Sequence, residues 1–111
     1  MAISSFYEGT TKVINYILAD EDGNIQNITS DTVRFIVKAS PSTADGSAVI
    51  DTNADVTTDG AQGKATITLT SALTSVQYGS YYYEVLWTRS TGEVYVVESE
   101  RLTIKQRVTD V

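Results

Sequence analysis

Residues 80–97 read SYYYEVLWTRSTGEVYVV, two long strands joined by a tight turn at Ser90-Thr91-Gly92. Tyr81, Tyr83, Val85 and Trp87 fall on one face of the first strand. Tyr82, Glu84, Leu86 and Thr88 fall on the other. A period of two is the strand period, so one face is expected to be buried and the other to meet water or a partner. In the returning strand, Val94 and Val96 are expected inward, with Tyr95 and Val97 outward.

The rest of the chain carries the same period. Residues 32–40 place Val33, Phe35, Val37 and Ala39 on one side and Arg34, Ile36 and Lys38 on the other. Residues 64–70 alternate Ala65, Ile67 and Leu69 with three threonines. Residues 11–19 put Ile14, Tyr16 and Leu18 on one side, with Val13 and Ile17 opposite. Short strands are expected at residues 3–7, 48–51, 55–57 and 101–105. Residues 20–24, 40–47 and 59–63 are rich in Asp, Gly, Ser and Pro41 and read as turns or loops. Ser and Thr make up about a quarter of the chain, and Thr favours strands while Ser favours turns. The 111 residues suit one domain with one core, and 41% are apolar. Residues 106–111 read as a tail. The expected fold is an all-β, antiparallel sandwich of about seven to eight strands, filled by Phe35, Val37, Ile67, Leu69, Tyr83, Val85 and Trp87.

Residues 79–83, Gly-Ser-Tyr-Tyr-Tyr, refine that expectation. Immunoglobulin-like sandwiches carry a Tyr near the start of strand F whose hydroxyl bonds back to nearby backbone and pins the corner between strands E and F. Tyr81 has that spacing, and Leu73 lies upstream as a core plug. Tyr83 stands where antibody domains carry Cys, and Trp87 lies on strand F instead of strand C. The sandwich is of immunoglobulin type without being an antibody domain.

Charge and composition exclude several functions. The net charge is −6, with eight basic residues scattered along the chain, which argues against a phosphate-backbone partner. There is no Cys and no His, so disulfides, thiolate metal sites, thiol nucleophiles and the commonest general base are absent. The first residues have neither the basic region nor the apolar run of a secretory signal. No stretch approaches the roughly 20 apolar residues that span a bilayer. Synthesis and folding in a cytoplasm are expected, with no membrane partner.

Asp20-x-Asp22-x-Asn24 and Asp51-x-Asn53-x-Asp55 begin like calcium loops. They lack the Gly at position 6 and the Glu at position 12 that complete one, and read as solvated turns. Glu84, Glu93, Glu98 and Glu100 show no sign of the paired-carboxylate pocket of a glycosidase. No catalytic residue, cofactor or metal is assigned, and no enzymatic activity is expected.

The outer face of the 80–97 hairpin is less neutral. Ile36, Tyr82, Leu86, Tyr95 and Val97 are expected to share it as an apolar patch bordered by Arg34 and Lys38, a candidate partner interface.

The segment ending Glu8-Gly9-Thr10, the turn Asp20-Glu-Asp-Gly23, residues 31–38 (DTVRFIVK), residues 63–70 (GKATITLT), residues 78–85 (YGSYYYEV) and a hairpin at Gly92 form a series. It resembles the small immunoglobulin-like domains of tailed-bacteriophage virion proteins, such as the N-terminal domain of baseplate upper proteins, over about residues 5–104. The resemblance implies a non-enzymatic virion structural protein of the baseplate, tail, neck or head decoration. Its partners would be other virion proteins and copies of itself. The rival expectation is a carbohydrate- or host-surface-binding module. Tyr78, Tyr81, Tyr82 and Tyr83 would be its stacking platform, but alternation sends Tyr81 and Tyr83 inward and leaves only Tyr82 on the outer face, a weak platform.

Overall fold

The computed structural model describes residues 5–109. Among them, alternation in the sequence becomes alternation in space. Strand β6 (Gly79–Thr88) buries Tyr81, Tyr83, Val85 and Trp87 and leaves the residues between them partly open. Strand β3 (Thr32–Lys38) buries Val33, Phe35 and Val37 completely on the same face. Strand β5 (Lys64–Leu69) does so with Ala65, Ile67 and Leu69, and β2 (Lys12–Ile17) with Ile14 and Tyr16. These faces meet as one core, each large side chain adding about 1.5–3 kcal/mol by leaving water.

The strands form two sheets. The larger has the order β1-β7-β6-β3-β4, with β1 at Ser5–Tyr7, β4 at Ile50–Asn53 and β7 at Val94–Lys105; the smaller pairs β2 with β5. This is the layout of an immunoglobulin-type sandwich, with G, F and C strands in one sheet and the B–E pair in the other. The chain crosses between sheets at Ala54. Its N–H bonds to Val33 O at 2.7 Å, and the next residue, Asp55, bridges to Thr66 of β5. At the corner before β6, the Tyr81 hydroxyl donates to Gln77 O. The pinning Tyr read from the sequence is in place.

Three details differ from the sequence reading. The β1–β7 pair is parallel, whereas all other ladders are antiparallel. Of the short strand expected at residues 3–7, residues 3 and 4 lie outside the described residues, as do 110 and 111 of the expected tail. The strand expected at residues 101–105 is the far half of the single 12-residue β7. Its ladder with β6 shifts register: Val85 faces Glu98 while Leu86 faces Val96, so Val97 is an extra residue on β7, a β-bulge.

Candidate functional site

The bulge decides where the apolar residues of β7 go. Residues directly opposite in an antiparallel ladder share a face. Tyr95 is opposite Trp87 and therefore lies on the inner face, with the two rings 5.4 Å apart. Val94 and Val96 lie opposite Thr88 and Leu86 on the outer face. This reverses the faces expected for the returning strand. The five residues of the expected patch do not form one surface. Ile36, Tyr82 and Leu86 share the outer face of the large sheet; Tyr95 lies on the opposite face, and Val97, at the bulge, packs partly against the core.

On the outer face Tyr82 and Leu86 stay half-buried around a hollow of about 150 Å³ that they line with Ile36, Arg34, Lys38 and Asp45, while Ile36 itself is covered. Arg34 clasps Asp51 with two nitrogens, and both Arg34 and Lys38 reach Asp45. The lysine holds the Asp45 carboxyl below the usual carboxylate range, and the Arg34 guanidinium does the same for Asp51. Asp45, held between two side chains that flank Ile36, lies over it, and Ile36 is only 7% exposed. Arg101 stacks on the Tyr82 ring at 5.7 Å. With Tyr81 and Tyr83 buried, the tyrosine cluster presents no flat platform for a sugar.

The two calcium-like loops are occupied by their own donors. Asp20 Oδ1 accepts from the N–H groups of Asp22 and Asn24, and Oδ2 from Gln26. Asp55 accepts from the backbone and hydroxyl groups of Thr57 and Thr58. The Thr58 hydroxyl is the largest influence in lowering its pKa to about 2.

The feature that sequence reasoning missed is an open flank between the two sheets. Immunoglobulin sandwiches place an A strand outside strand B. Here β1 joins β7 instead, and β2 has no neighbour on its outer edge among the described residues. The β1 ladder covers β7 only from Thr103 to Lys105. Among the described residues, the turn-proximal part of β7 therefore has one partner strand, β6.

Between this part of β7 and the end of β2 runs a groove of about 510 Å³, lined by residues 17–22, Trp87, Arg89 and residues 95–97. Of its lining, Ile17, Tyr95 and Val96 stand 58%, 43% and 57% exposed, and Val94, beside them on the outer face of β7, is 55% exposed, so a band of aliphatic and aromatic surface is open to water.

Its floor is rigid. The Trp87 indole N–H donates to Asp31 Oδ2 at 2.9 Å, and Ser90 N donates to Asp31 Oδ1 at the same distance. Arg89 pairs with that carboxylate at 2.9 Å and lies over the Trp87 ring at 5.0 Å. Gly63 sets the chain that enters the groove wall, since its carbonyl accepts from Leu18 N at 2.8 Å. Its φ is 76°, and a Cβ there would sit 2.5 Å from Ile25 Cγ2 and 3.0 Å from the carbonyl of Leu18. Only glycine allows both that backbone conformation and that approach.

Further along, the Tyr16 hydroxyl reaches across the gap and donates to Glu98 Oε2. Burial first, and then the Glu98 carboxylate, push the Tyr16 hydroxyl pKa well above its usual value. The rim is acidic, with Asp20, Glu21, Asp22 and Glu93 exposed.

No family model matches the chain, and no curated protein matches it. Among solved structures it is similar to CopC from Methylosinus trichosporium OB3b, with a TM-score of 0.54 and 12% identity over 100% of this chain and 91% of that one. At that identity the likeness establishes the β-sandwich fold. It also overturns the expected role as a bacteriophage virion structural protein. CopC is a copper-handling protein, and no comparison ties this chain to a phage particle. The features behind that expectation, the Tyr corner, the alternating strands and the Gly hairpin, are requirements of the sandwich itself. They belong to the fold and carry no function of their own.

Proposed function

We propose that this domain is a non-catalytic protein-binding module whose contact surface is the open flank between β2 and β7. One observation carries the reading: Ile17, Tyr95 and Val96 are exposed along one groove, with Val94 beyond it on the outer face, beside a strand edge that has no partner strand among the described residues. Aromatic and aliphatic side chains around a rigid floor, with a polar rim, are the anatomy of a protein contact.

Copper handling does not carry over from CopC. Copper sites draw on imidazole, thiolate and thioether donors. This chain has no His, no Cys and one Met, at position 1. The carboxylates at the groove rim are hard oxygen donors, and no three of the acidic residues described gather into a metal-holding group.

The test is site-specific photo-crosslinking in the cell that makes the protein. A photoreactive residue at Val96 is expected to yield a discrete adduct with another polypeptide, and one at Thr68, exposed on β5, is not. No adduct at 96, or the same adducts at both positions, would refute the reading.

A further inference from the structure

Residues 94–97 read Val-Tyr-Val-Val. A strand with one face in water alternates, whereas a strand covered on both faces and paired on both edges reads as a continuous apolar run. This run has the second signature in the first setting. It sits at the edge of the large sheet, with Val94 and Val96 exposed on the outer face and Tyr95 on the inner. The devices that blunt a free edge, a bulge and inward-pointing charges, begin only after it, with the bulge at Val97 and then Glu98 and Glu100 on the core-facing side.

We propose that residues 94–97 receive an extended β-strand from a partner protein, and that this strand is basic as well as apolar. The proposal rests on the protein-binding reading above and names how that binding works. Added beside β7, such a strand would pair the free N–H and C=O groups of its edge. It would lay alternate side chains on Tyr95 and Ile17 on one face and on Val94 and Val96 on the other.

Charge selects the occupant. The edge and rim carry Glu93, Glu98, Glu100, Asp20, Glu21 and Asp22, and Arg89, the base that lines the groove, is already paired with Asp31. A second copy of this chain would set Glu93, Glu98 and Glu100 near their own counterparts, and like charges across a ladder are destabilising. Lysine or arginine on the incoming strand meets opposite charge instead.

The test uses the whole chain and a synthetic nine-residue peptide alternating Val and Lys around a central Tyr, with amide hydrogen exchange read residue by residue. Amides of residues 94–98 that exchange freely in the protein alone are expected to slow at least about tenfold, with β2 unchanged. The same peptide N-methylated at alternate nitrogens should have no effect, and neither should its Glu-for-Lys counterpart. Four outcomes overturn the proposal. They are no slowing at millimolar peptide, equal slowing by the N-methylated or the Glu peptide, slowing confined to β2, or protection that rises with protein concentration in the absence of peptide, which would place a second copy at the edge. If the peptide fails while the Val96 adduct persists, strand addition is refuted and protein binding stands. If the adduct is lost while the peptide still acts, the edge accepts strands and the functional reading falls.

Discussion

The two halves of β7 are one continuous strand in opposite circumstances. Leu102 and Ile104 are 1% exposed, while Val94 and Val96, of the same chemistry, are more than half exposed. The far half lies between β6 and β1 and under the small sheet. The near half has β6 on one side and the open flank on the other. Face and neighbours act together: Leu102 and Ile104 point into the core from a strand paired on both edges, whereas Val94 and Val96 point outward from a stretch paired on one edge, so the same side-chain chemistry is buried in one half and exposed in the other.

The sharpest way to break that contrast is to truncate the floor shared by both halves. Trp87→Ala is expected to lower unfolding stability by about 3–5 kcal/mol in urea titration, since it removes core volume and strands Asp31. A loss below about 1 kcal/mol would mean that the floor is not core. Leu102→Ala follows at about 2–5 kcal/mol, against at most about 0.5 kcal/mol for Val96→Ala. Equal losses in the two would erase the distinction between the halves. Gly63→Ala should destabilise by at least about 1–2 kcal/mol from the left-handed backbone alone, and it tests how far the Leu18 and Ile25 segment depends on that glycine.

Tyr81→Phe is smaller, about 1 kcal/mol, because it removes one hydrogen bond and leaves the ring packed. The smallest effect is acid titration of Asp55. Its folded pKa of about 2 lies below the ordinary 3.8, so its contribution is complete above 3.8 and lost as the pH falls through about 2. Thermal unfolding between those values should show a shallower decline in Asp55→Ala than in the parent chain.

Much of this was legible in the sequence. Strict alternation identified the inner faces of β3, β5 and β6, and Gly79-x-Tyr81 gave the pinned corner. The error in β7 had two sources. The hairpin is symmetric about Thr91, so counting outward puts Tyr95 opposite Trp87 and on the inner face. Placing Val94 and Val96 inward breaks that count by one residue, and with a side-chain period of two a shift of one exchanges the faces. The bulge at Val97 has no local signal, since no Gly or Pro marks it. It follows from fitting Glu98 and Leu102 to a face already chosen by β6. Loss of the outer-face patch was equally hidden, because the Asp45 that covers Ile36 comes from a loop whose path depends on Arg34 and Lys38.

The sequence by itself determined the class of fold, the inner faces of the long strands and the chemistry that this chain lacks. Those depend on side-chain period and residue type, both local properties. Only the tertiary structure decided which strand edges were left without neighbours. Edge pairing is a relation between distant segments: whether the first strand lies beside β2 or beside β7 changes no local pattern, yet it opens the flank where Val94, Tyr95 and Val96 meet water.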